Sequence, residues 1–96
     1  MSTFSEMLNT VSFRGVAGRA RREDDLWPLR DILFDLQTDI IKVGAAVVLN
    51  LRKSDSDALA DAMQHNNRML VDMLEHDILV IEMWCNSHKV LRPPLR

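Results

Sequence analysis

Residues 24–53 read DDLWPLRDILFDLQTDIIKVGAAVVLNLRK, and the periodicity of this stretch decides the fold. Asp24 and Asp25 carry side-chain oxygens able to cap a helix start, and their charge suits the positive end of the helix dipole. Pro28 fits the first turn, where no amide donor is required. Leu29, Leu33, Leu36, Ile40, Val43 and Val47 follow at spacings of 4, 3, 4, 3 and 4. That is a heptad-like seam and predicts a helix over about 25–52.

The seam does not continue. Extended by sevens from Val47 it lands on Ser54, Asp61 and Arg68, all polar. The segment Lys53-Ser54-Asp55-Ser56-Asp57 favours caps over helix interiors, because Ser and Asp side chains compete for backbone donors. Two helices joined by a short turn account for this better than one continuous rod, although the turn holds neither Gly nor Pro. A second helix is predicted over about 56–86, with Leu59, Met63, Leu70, Leu74, Ile78, Ile81 and Cys85 as one apolar stripe and Ala62, Met69, Met73, Val80 and Met83 as another. Asp61, His65, Arg68, Asp72, Glu75 and Glu82 make its polar face.

Upstream, Phe4, Met7, Leu8 and Val11 fall at i, i+3, i+4 and i+7 and describe one short helical stripe. Gly15 and Gly18 break the helical pattern after it, and Arg14–Glu23 reads as a basic connector. Downstream, Pro93-Pro94 ends any helix. The expected organisation is a short amphipathic helix and connector over 1–23, a helical hairpin over 24–86 and a basic tail over 87–96. At 96 residues this is a single domain. Its 47% apolar content suits a packed core, but aromatics are only 5% and Tyr is absent, so Leu, Ile, Val, Met and Ala must fill it.

The hairpin carries more apolar surface than it can hide. Phe34, Ile41, Ala45 and Val48 lie off the first helix's seam, and the methionine stripe lies off the second's. A helix apolar on two sides must be covered on two sides. The expected solution is dimerisation into a four-helix bundle through Phe34, Ile41, Val48, Met69, Met73, Val80 and Met83. The alternative cover is the N-terminal helix folding over the second stripes of its own chain. Asn66 and Asn67 interrupt the second helix near seam positions, where a buried Asn sets register. The function expected from this pattern is a non-enzymatic self-association or protein-interaction module whose partner is a second copy or another helical protein.

Charge supplies the alternative. The net charge of −2 divides into +2 over residues 1–23, −7 over 24–85 and +3 over 86–96. If the basic ends converge with the turn, Arg14, Arg19, Arg21, Arg22, Arg52, Lys53, Lys89 and Arg92 form a strip suited to RNA, double-stranded RNA included. The acidic body opposes a broad phosphate-binding surface, and Phe13 alone offers base stacking there. The basic segment also suits the acidic ladder Asp31, Asp35 and Asp39 on the chain's own first helix. A third reading, lipid or organelle targeting by residues 1–22, rests on the same arginines.

Catalytic, metal and cofactor sites are not expected. His65 and His76 stand roughly 16 Å apart along one helix, too far to share a metal. Asp61 with His65, and Asp72 with His76, read as ordinary i, i+4 surface pairs. Cys85 at a helix C-terminus has nothing to activate it, and as the single cysteine it has no disulfide partner, which points to an intracellular, cytoplasmic location. No apolar run reaches the length of a membrane span.

Overall fold

A computed structural model of the chain describes residues 3–13, 18–53 and 57–93, with side chains described outside 45–63. The described residues are helical, without strands. Helix α1 spans Phe4–Thr10, a 3-10 turn spans Glu23–Asp25, and two long helices complete the fold, α2 over Leu26–Lys53 and α3 over Asp57–Ser87. The long helices begin and end within one residue of the expected bounds. Their pairing is antiparallel: Arg30 meets Glu82, Gln37 meets Glu75 and Gly44 meets Asn67, partner numbers falling as residue numbers rise.

Local chemistry sets the ends. Thr3 accepts the Glu6 amide, and Glu6 accepts the Thr3 amide in return, a capping box that starts α1. Asp25 turns back rather than forward and accepts the amides of Arg21 and Arg22. The Arg21 amide, with the Arg22 amide and guanidinium, holds the Asp25 carboxyl below its ordinary pKa. Pro28 occupies the first turn of α2, as expected.

The far end of α3 closes with a Schellman motif. The Val90 amide donates to the Cys85 carbonyl at 2.9 Å and the Lys89 amide to the Asn86 carbonyl at 3.4 Å. Lys89 takes the left-handed position with φ 55°, where glycine has no Cβ to strain. Lys89→Gly should therefore raise stability by about 1 kcal/mol, and the melting temperature by roughly 4–8 °C. Thermal unfolding followed by circular dichroism measures this, and a lowered melting temperature would mean that the lysine side chain holds something.

The core runs along one seam. Leu26, Leu29 and Leu33 of α2 pack with Leu74, Ile78, Ile81 and Cys85 of α3. Beyond Leu33 the seam differs from the expected one. Gln37 and Gly44 face α3, whereas Leu36 and Val43, expected at the interface, are 36% and 62% exposed. Gln37 is tolerated because its amide donates to the Val71 carbonyl (3.3 Å) and to Glu75 (2.8 Å). Gly44 belongs there because a Cβ at that position would stand 2.4 Å from Asn67 Nδ2.

The described segments before and after the hairpin both fold back onto it. Met7 and Val11 bury against the end of α3, with Phe4, Leu8 and Phe13 packed partly around them. On the other side, Trp27 Nε1 donates to the Val90 carbonyl at 3.0 Å, and Arg92 lies 4.9 Å over the Trp27 ring while bonding Asp31 at 2.6 Å. Asp31 is thus met by the C-terminal tail. The expected docking of the basic connector on this acidic ladder is replaced, at Asp31, by Arg92. Among the described residues no helix is long and apolar enough to cross a membrane.

Candidate functional site

The two long helices leave the hairpin with two broad sides. Helical geometry separates them: Phe34 and Val43 are nine residues apart, about two and a half turns, and so point in nearly opposite directions. The first side carries Ile32, Leu36, Asp39 and Val43 from α2. From α3 it carries Leu70, Met73, Asp77 and Trp84. The second side carries Arg30, Phe34, Gln37 and Ile41 with Glu75 and Glu82.

The second side is tied together by polar contacts. Arg30 Nε bonds Glu82 at 2.7 Å, Arg30 also bonds Asp31 at 3.1 Å, and its guanidinium lies 4.8 Å over the Phe34 ring. Burial disfavours the charge on Arg30, but the bonds to Glu82 and Asp31 outweigh it and hold the guanidinium's pKa above its ordinary value. Phe34 is therefore half roofed, while Ile41 and Leu79 remain exposed.

The first side is mainly apolar and is covered over only part of its length. Near the C-terminal end of α3 the N-terminal segment lies on it. Asp77, fully buried, accepts the amides of Ser12 (2.9 Å) and Phe13 (3.0 Å) on its two oxygens. Phe4 stands edge-on to Trp84 with ring centres 5.8 Å apart. Nearer the turn the cover stops. Ile32, Leu36, Val43, Leu70 and Met73 are all exposed, and a cleft of about 220 Å³ lies between Ile40, Val43 and Gly44 on one helix and Asn67 and Leu70 on the other. A second cleft, about 350 Å³, lies between α1 and α3, bounded by Met7, Val80, Met83, Trp84 and His88.

The residues expected to self-associate thus divide. Phe34 and Ile41 sit on the second side, Met73 on the first, and Met69 and Met83 (52% and 70% exposed) on the outer surface of α3. Val80 is partly buried against the core under α1, so the N-terminal helix covers part of the second stripe within the chain. Val48 lies outside the residues whose side chains are described. Of the basic candidates, Arg19, Arg21 and Lys89 are exposed. Arg22 pairs with Asp25 at 3.8 Å, and Arg92 is engaged by Asp31 and Trp27. Arg14 and the side chains of Arg52 and Lys53 lie outside the described residues.

The remaining reactive side chains are occupied locally. His76 bonds its neighbour Asp77 at 3.1 Å rather than Asp72, and His88 stacks on Trp84 with ring centres 3.8 Å apart. Asp61, the expected partner of His65, lies outside the described side chains. Cys85 is buried, and burial followed by the charge of Glu23 pushes its thiol up to about 11, so it stays protonated at neutral pH. Among the described residues no three His, Cys, Asp or Glu side chains gather as metal ligands do. Asp77, Gln37 and Gly44 are the positions sequence reasoning passed over. Asp77 had a signal: it is an acidic residue three after Leu74 and four before Ile81, inside the apolar seam. Comparison with known protein families, with curated proteins and with solved structures returns no match to this chain.

Proposed function

We propose that the chain is a self-association module without chemistry of its own, in which two hairpins pack first side to first side through Ile32, Leu36, Val43, Leu70 and Met73. The observation that carries this reading is the bare apolar half of that side, which has Asp39 and Asn67 as its main polar interruptions. Exposed apolar surface of this extent marks interaction sites. Covering five side chains that are each a third to two-thirds exposed contributes about 1 kcal/mol apiece, on the order of 10 kcal/mol for two copies. Against the lower end of the roughly 4–15 kcal/mol that association costs in lost freedom, the surplus is about 6 kcal/mol, a dissociation constant on the order of tens of micromolar, so a weak, reversible dimer is the expected result. A twofold arrangement of two such hairpins is a four-helix bundle. The nucleic-acid reading gains nothing from Arg92, which is engaged by its own chain.

Sedimentation equilibrium tests the proposal. The wild-type chain is expected to approach the mass of a dimer as its concentration is raised to about 500 micromolar, and Val43→Glu and Met73→Glu to keep the mass of a monomer with unchanged helicity. Both positions are exposed in the single chain, so the charges cost the hairpin itself little. A wild-type chain that stays monomeric would overturn the reading.

A further inference from the structure

Leu70, Met73, Asp77, Val80 and Trp84 succeed one another at spacings of 3, 4, 3 and 4 and so share one side of α3. The N-terminal segment meets Asp77 and Trp84, flanks the partly buried Val80, and leaves the first two bare. The boundary between covered and bare surface falls at Asp77.

An acidic residue in the middle of this stripe needs a reason. An apolar side chain at 77 would pack as well and would spare the desolvation of a carboxyl group. Among the described residues the side chain that bonds it is the exposed His76, whose Nδ1 lies 3.1 Å from Asp77 Oδ1. What Asp77 does, fully buried, is accept the backbone amides of Ser12 and Phe13. It also has a satisfactory alternative, since the same oxygens are solvated by water once the segment leaves. An apolar residue would penalise that departure and aspartate does not. The segment is suited to leaving: α1 has seven residues, well short of the length at which an isolated helix holds itself together.

We propose that residues 4–13 are a releasable cover over the association face, latched by Asp77, and that its release bares Trp84 and the remainder of Val80 in line with Leu70 and Met73 for a second copy of this chain. The proposal rests on the self-association reading and adds its control. Opening lengthens the apolar stripe on α3, so the open form binds the second copy more tightly than the closed one. Apparent affinity then scales with the fraction of chains that are open.

The test uses the full chain as wild type, Asp77→Asn and Met7→Glu, with two measurements on each: hydrogen exchange at the Ser12 and Phe13 amides, and sedimentation equilibrium. Asparagine keeps the size of aspartate but turns an NH2 group toward an amide that needs an acceptor. Exchange at both amides is expected to quicken, and association to tighten, about tenfold each. Met7→Glu loosens the cover from its apolar side and should produce the same pair of changes. If one variant loses helicity, the other decides. Amides in Asp77→Asn that exchange as slowly as in wild type would refute the latch. Amides freed without tighter association would refute the cover: if wild type still dimerises, only this inference falls, and if every chain is monomeric, the self-association reading falls with it.

Discussion

Truncating Leu33 to alanine is expected to cost the hairpin about 2–5 kcal/mol, whereas the same truncation at Leu36 should cost less than about 1 kcal/mol. The two leucines are three residues apart on one helix and look equivalent by apolarity. Leu33 is 0% exposed and sits in the core cluster with Leu29 and Leu74, so its removal leaves a cavity that the close-packed core fills poorly. Leu36 is 36% exposed on the first side, where water replaces the lost methyl groups. A chain of this size has a total stability on the order of 5–15 kcal/mol, so Leu33→Ala removes a large part of it. Urea unfolding at concentrations where the chain is monomeric measures both changes, because association would otherwise add to apparent stability. Equal losses at the two positions would mean that Leu36, not Gln37, faces α3. Leu36→Ala has a second expected effect, weaker association at high concentration, which Leu33→Ala shares only through unfolding.

This pair also marks where the sequence stops being legible. The long helices could be read because their apolar periodicity runs for many turns, and a pattern of that length survives a few misassigned positions. The interface could not be read residue by residue. A periodicity argument weighs apolar side chains only, so it takes Leu36 over Gln37 and Val43 over Gly44. The hairpin takes the opposite choice at both places for reasons that need a partner to be seen. Gln37 finds the Val71 carbonyl and Glu75, and Gly44 makes room for Asn67. Asp77 was hidden for the same reason, since its partners are backbone amides 64 and 65 residues away. The excess of apolar surface was visible from composition and spacing, and so was the idea that the N-terminal helix covers some of it. That Phe34 and Ile41 lie on the opposite side from Val43 is a consequence of helix geometry once the true seam is known, but choosing the wrong seam rotates every assignment with it. The acidic ladder shows the limit of charge reasoning: like charges at Asp31, Asp35 and Asp39 ask for a cation, and of the basic segments at the two ends it is the C-terminal one that supplies Arg92 to Asp31.

Gly44→Leu should destabilise the hairpin by about 1–3 kcal/mol, and Gly44→Ala by much less. Glycine inside a helix is ordinarily a weakness, costing about 1 kcal/mol against alanine, so its presence at a buried position of α2 needs a compensating contact. The contact is Asn67: a Cβ on residue 44 would lie 2.4 Å from Asn67 Nδ2, 3.3 Å from its Cγ and 3.7 Å from its Cβ. Alanine can be admitted if the Asn67 amide swings aside, and the gain in helix propensity offsets that movement. Leucine cannot be admitted so simply, because its branched end would reach past the amide toward the Asn67 stem and must push the two helices apart. The double variant Gly44→Leu with Asn67→Ala removes the obstacle and should recover most of the loss, which makes the pair a coupled one in a double-mutant cycle. Splaying at this level would also open the cleft between Val43 and Leu70, so Gly44→Leu should weaken association even where the monomer remains folded. Urea unfolding of the four chains gives the coupling energy directly, and a value near zero would mean that the helices do not approach closely at Gly44.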